Sequence, residues 1–190
     1  MCDPSVIRAV DVANLLRAFD TGGDGEAEKS RELILALLLH SPAPFSRDIY
    51  TPGHITCTGV VLAPGCNAVL LVHHRRLDRW LLPGGHAEPE DASIADVASR
   101  EVLEETGALI NGAAPCLVGV DVHAIPPNKR EPLHLHHDLI FAFQAGSEQF
   151  QVSEESRAVV WCPLDEFDRY ELPGSIRRSV LRAVSNVQTH

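Results

Sequence analysis

Two hydrophobic periods alternate along this chain, and they divide it into helical and extended stretches. From Pro4 to Phe19 the residues Val6, Ile7, Val10, Leu15, Leu16 and Phe19 recur at helical spacing, which predicts an amphipathic helix. Residues 20–25 (Asp-Thr-Gly-Gly-Asp-Gly) break it as a glycine turn. A second helix is predicted from about Ala27 to His40, with a dense apolar run from Leu33 to Leu39. Ser41-Pro42-Ala43-Pro44 ends it, because a proline disfavours helix in the residue before it. The period becomes two at His54. Residues 54–63 predict a strand, Pro64-Gly65-Cys66-Asn67 a turn, and residues 68–75 a second strand, together a hairpin.

Trp80-Leu81-Leu82-Pro83 reads as extended chain entering a glycine loop at Gly84-Gly85. Helical period then returns, with Ile94, Val97, Ala98 and Val102 as its buried stripe and Gly107 as its stop. Asp91 is placed to cap that helix, with Ser93 and Asp96 as an alternative capping box. Cys116 to Ile125 predicts a strand with Val118, Val120 and Val122 on one face and Asp121 and His123 on the other. A longer strand follows from Leu133 to Phe143. Parity gives it an apolar face of Leu133, Leu135, Leu139, Phe141 and Phe143, interrupted by His137, and sets His134, His136 and Asp138 opposite. Paired as a hairpin, the two strands would join Asp121 and His123 to that polar group. Such a face is either ordinary solvated surface or a pocket that binds substrate, and a metal site there is a further alternative. A short strand through Val159–Trp161 precedes a last amphipathic helix, Ser175 to about Val187, with Arg177, Arg178 and Arg182 on its outer side.

Composition narrows the partners. The 190 residues suit one domain with an appendage, which we divide into a helical extension and linker over 1–50 and a catalytic body over 51–190. The extension is expected to pack as a flank or as an oligomer contact, a homodimer being one outcome. An apolar content of 45% is ample for a core, and a net charge of −10 argues against nucleic-acid polymers and anionic membranes as partners. Five dispersed cysteines with no C-x-x-C spacing read as reduced thiols, and no leader or membrane-length apolar run is apparent. A cytoplasmic location is the expectation. An acidic protein can still take phosphates when metal ions bridge the like charges.

The chemistry concentrates in Arg100-Glu101-Val102-Leu103-Glu104-Glu105-Thr106-Gly107. Glu101, Glu104 and Glu105 stand at i, i+3 and i+4, which lays three carboxylates on one helix face. No lysine follows to relieve their repulsion, so an external hard cation such as Mg²⁺ is the expected partner. The turn at 20–25 lacks such donors in calcium-loop register, with Gly22 third and Arg31 twelfth, and is not expected to bind calcium.

With the preceding Gly84-Gly85, this segment resembles the signature box of the Nudix hydrolases. Arg100, Glu101, Val102, Glu104, Glu105 and Gly107 match its second half. The first half departs: the family glutamate six residues after Gly85 is Asp91 here, and eight residues rather than seven separate it from Arg100. The resemblance implies an α/β/α sandwich with a mixed sheet, and hydrolysis of a phosphoanhydride bond in a nucleoside diphosphate linked to another moiety. It implies Mg²⁺ or Mn²⁺ held by Glu101, Glu104 and Glu105, joined by a backbone carbonyl of the glycine pair, for which we take Gly85. Glu101 and Glu104 are the catalytic candidates, Glu101 orienting water or acting as base. Glu154 or Glu155 would be an additional ligand. His123, His134, His136 and Asp138 are the substrate-binding candidates. A Nudix-fold domain that senses a nucleotide derivative without turnover is the alternative, and the complete glutamate triad disfavours it.

Overall fold

The structure, a computed structural model, describes residues 7–112, 114–154 and 156–188. In chain order these form α1 (Ala9–Ala18), α2 (Gly25–His40), β1 (His54–Leu62), β2 (Ala68–His74), β3 (Arg79–Leu81), β4 (Gly84–His86), α3 (Ile94–Thr106), β5 (Cys116–Ile125), β6 (His134–Gln144), β7 (Ser156–Pro163) and α4 (Gly174–Gln188). One mixed sheet of seven strands runs β3-β2-β1-β6-β5, with β4 added to β1 and β7 added to β2.

β1 is the axis of the sheet. It runs parallel to β6 from His54 beside His136 to Leu62 beside Gln144. Its other edge is shared: β4 pairs with Thr56–Thr58 near the start, and β2 meets it only at Leu62 and Val69. The hairpin expected from the Pro64–Asn67 turn therefore splays after its closing pair, and β4 fills the gap. Gly84-Gly85 is thus a strand and not the expected loop. Alternate residues of β1 sort between two cores. Ile55, Cys57 and Val61 face α1, α2 and α3, while Val60 and Leu62 face α4. All five are fully buried, and the four aliphatic ones each contribute about 1.5–3 kcal/mol.

The helices follow the sequence pattern with local corrections. Asp24 caps α2 by accepting from the amides of Glu26 and Ala27. Within α1, Val12 and Leu16 are buried, whereas Val10, expected on the apolar stripe, is exposed; the start of the predicted helix lies outside the described residues. Only part of the Leu33–Leu39 run is buried, through Ile34, Leu37 and Leu38. In β5 a bulge between Leu117 and Gly119 breaks the expected alternation. Val118 joins the α4 side with Val60 and Ile140, while Val120 and Val122 stay on the opposite side. One inserted residue flips every side chain on one side of it.

The outer arginines of α4 prove to be engaged. Arg178 pairs with Asp24 and Glu26, and Arg182 with Asp24 and the carbonyl of Thr21, joining α4 to the start of α2. Arg177 pairs with Asp168. Among the described residues, no helix is long and apolar enough to cross a membrane.

Candidate active site

The glycine pair and α3 meet because nothing larger than hydrogen fits between β4 and its neighbours. A Cβ on Gly84 would stand 2.5 Å from the Cys57 carbonyl oxygen, and one on Gly85 would stand 2.5–2.8 Å from the Glu101 carboxylate. The Gly84 amide donates to Glu105 at 3.0 Å, which fixes a carboxylate that is otherwise buried. α3 is held in place at both ends. Ser93, not Asp91, is its N-cap, accepting from the Asp96 amide, and Gly107 closes it in the left-handed conformation at φ 61°.

Asp91 does something else. It is buried and grips the Arg100 guanidinium through Nε and Nη2, both at 3.1 Å, while also accepting from the Glu88 amide. The shorter acid and the extra residue before Arg100 thus offset each other, and the pair forms across a turn of different length. Arg100 extends further, from Nη1 to Glu101 at 3.0 Å and Glu104 at 3.1 Å, and from Nη2 to the His86 carbonyl. These anions hold its pKa above the usual arginine range, the Asp91 bond first among them. Arg100 thus acts as a structural ion-pair partner of two of the three carboxylates, and the Gly84 amide serves the third. All three line one cavity. Among the described residues, the trio whose ligand atoms all lie within 4.8 Å of one another is instead His54, His86 and His136.

The polar strand faces line the same cavity. β5 and β6 pair as the hairpin parity required, with Asp121 opposite Asp138, His123 opposite His136 and Ile125 opposite His134. His123 receives a 3.0 Å hydrogen-bond partner in Asp121. Burial pulls its pKa down, but that contact and the charge on Asp138 outweigh it, and the net shift is upward. Asp138 is buried and accepts from Thr56 Oγ1 at 3.0 Å and Thr58 Oγ1 at 2.6 Å. Burial pushes its pKa to about 6 against the opposing pull of His123 and the two threonines. Desolvation and neighbouring imidazoles drive His136 down to about 2 and His86 to about 4.

A single cavity of about 1210 Å³ is lined by these carboxylates, the two threonines and the imidazoles other than His54. Glu101, Glu104, Glu105 and Gly85 lie on it, as do His123, His134, His136 and Asp138. Sequence reasoning missed Thr56, Thr58 and His86 in the same cavity. The threonines were visible as alternate residues of the first strand, but their facing partner depends on the parallel β1–β6 register. Glu154, an additional ligand candidate, does not line this cavity, and Glu155 lies outside the described residues.

The family description "NUDIX domain" matches residues 53–183. A protein of Bacillus subtilis (strain 168), named as a candidate 8-oxo-dGTP diphosphatase, is 26% identical over 130 residues, covering 68% of this chain and 78% of its own. The NUDIX domain of Shewanella oneidensis NrtR, solved with ADP ribose, superposes with a TM-score of 0.52 at 18% identity, over 80% of this chain and 94% of that one. The MutT protein of Bacillus halodurans gives a TM-score of 0.52 at 22% identity, over 68% and 81% of the two chains. At these identities the two structures share a fold with this chain.

Proposed function

The chain belongs to the NUDIX family of hydrolases, and on that premise we propose that it cleaves a phosphoanhydride bond in a nucleoside diphosphate linked to another moiety, with a divalent metal ion. The observation that carries this reading is the single cavity that the box carboxylates line together with the polar residues of β5 and β6. At about 1210 Å³ it is larger than the roughly 300–1,000 Å³ of ordinary small-molecule sites, which leaves room for a nucleotide with a further moiety attached.

The donor set fits a hard divalent cation. Glu101, Glu104 and Glu105 offer only carboxylate oxygens, two of the three are shielded from solvent, and the backbone of Gly85 lies against Glu101. We assign Glu101, Glu104, Glu105 and the Gly85 carbonyl as the residues that would hold Mg²⁺ or Mn²⁺. The chemistry supplied there by such an ion is neutralisation of phosphate charge and activation of water. Arg100 keeps Glu101 and Glu104 turned toward the cavity and limits their mutual repulsion. Glu105 is fixed by the Gly84 amide. Glu101, against the glycine strand, is placed to accept a proton from water. In the same cavity His123, when protonated beside Asp121, offers its second N–H to a phosphate or base, and His134 and His136 present imidazole edges to the same space. Asp138 lies beneath them, braced by Thr56 and Thr58.

A panel of nucleotides tests the reading: 8-oxo-dGTP, ADP-ribose, other sugar nucleotides and dinucleotides, each with Mg²⁺ and with chelator. Phosphoanhydride cleavage of at least one class that needs Mg²⁺ is expected. Thermal stabilisation by a nucleotide without any cleavage would replace the hydrolase with a sensor.

A further inference from the structure

Beside the carboxylate wall, three neighbouring strands present imidazoles to one place. β1, β4 and β6 are adjacent, with His54 beside His136 and His86 beside Thr56 in the register. The ring of His54 lies 5.0 Å from that of His86 and 5.0 Å from that of His136, and the His134 ring lies 5.1 Å from both His54 and His136. His54 and His134 are buried and His86 and His136 half-buried, and buried polar groups are usually hydrogen-bonded.

The hydrogen bonds behind the rings fix which nitrogens face inward. His54, 1% exposed, donates from Nδ1 to the Ile49 carbonyl at 2.9 Å, so its Nε2 carries the lone pair. That Nε2 is buried without a hydrogen-bond partner, an arrangement that is unfavourable when nothing compensates it. His134 repeats the device, donating from Nδ1 to the Pro132 carbonyl at 2.9 Å. A backbone carbonyl behind the far nitrogen is how metal-ligating histidines are oriented.

We propose that His54, His86 and His136, with His134 at the fourth position, bind one divalent transition-metal ion of the Zn²⁺ class. Their donor set is soft nitrogen where the box offers hard oxygen, so the two sites select different ions. The ligand atoms of the trio already lie within 4.8 Å of one another. His134 Nε2 stands 3.3 Å from His136 Nε2. Two imidazoles on one tetrahedral Zn²⁺, with Zn–N bonds of about 2.0–2.1 Å, have their nitrogens about 3.3 Å apart. The ion would tie the glycine strand to β1 and β6 at the edge of the cavity. The inference does not depend on the hydrolytic reading.

The test uses Zn²⁺ and Co²⁺ on the full chain stripped by chelator. The expected result is one equivalent bound, the visible d–d absorption of tetrahedral Co²⁺, and a higher Tm with Zn²⁺ than with Mg²⁺. His86→Gln and His136→Gln should weaken Co²⁺ binding at least tenfold, and Glu101→Gln/Glu104→Gln should leave it unchanged. His54→Ala is avoided because a fully buried ring is lost, and circular dichroism of the two chosen variants is the check that they fold. Failure of the stripped protein to bind Co²⁺ stoichiometrically would overturn the proposal. Retention of binding in both histidine variants, or its loss in the glutamate variant, would do the same.

Discussion

Cutting the contact between Asp91 and Arg100 should expose how much of the box is held by one ion pair. Asp91 is 5% exposed at its side chain and Arg100 20%, and two parallel hydrogen bonds of 3.1 Å join them. Removing one partner of a buried pair costs about 3–5 kcal/mol because the other charge is stranded, whereas exposed pairs are worth about 0–1 kcal/mol. With Asp91 deeply buried and Arg100 at the cavity edge, Asp91→Ala should cost about 2–3 kcal/mol. Arg100→Ala should cost at least as much, since it also releases Glu101, Glu104 and the His86 carbonyl. Much of the cost is shared, so the double variant should be less destabilised than the sum by about 1.5–2.5 kcal/mol. Urea unfolding of the four proteins, with m-values compared, measures this coupling. Costs that simply add, within about 0.5 kcal/mol, would refute the assignment of Asp91 as the partner that anchors Arg100.

Two further outcomes follow from the same geometry. Gly85→Ala places a methyl 2.5–2.8 Å from the Glu101 carboxylate, which must swing away while the backbone stays put. Urea stability should change by less than about 1 kcal/mol and turnover should fall about 100-fold, and equal turnover in the two proteins would remove Glu101 from the mechanism. Asp138 titrates near 6 in the folded chain against an ordinary 3.8, so the folded state keeps its proton longer and stability falls as pH rises between those values. In chelator-treated protein Asp138→Asn should gain up to about 3 kcal/mol above pH 6. A gain of the same size near pH 4 would show that the carboxyl is not desolvated.

Much of the fold was readable because its strands obey parity. The polar group His134, His136 and Asp138 and its cross-strand partners Asp121 and His123 follow from period two and a single hairpin, and no other information is needed. Parity fails at Val118, where a bulge adds a residue that no local pattern marks. The glycine pair was misread as a loop because a strand of two glycines has no side chains to alternate. What makes it a strand is the close approach of Thr58 and Glu101, a tertiary fact. Asp91 was misread for a related reason. A carboxylate just before a helix is a cap by local logic, and only the position of Arg100 across the turn shows its other partner. The four clustered histidines come from three separate segments, and the parallel pairing of β1 with β6 that unites them leaves no trace in spacing.

The central claim is that the glutamates of α3 carry metal-dependent hydrolysis, and Glu104→Gln examines it most directly. Glu104 is the most exposed of the three, with 56% of its side chain accessible, so the substitution removes charge without emptying the core. Mg²⁺-dependent release of phosphate product should be measured for wild type and variant on the best substrate of the panel, with Tm compared. A metal site supplies several kcal/mol to a phosphoryl transition state, so the account predicts a loss of about 100-fold or more at an unchanged Tm. Undiminished Mg²⁺-dependent turnover in Glu104→Gln would contradict it.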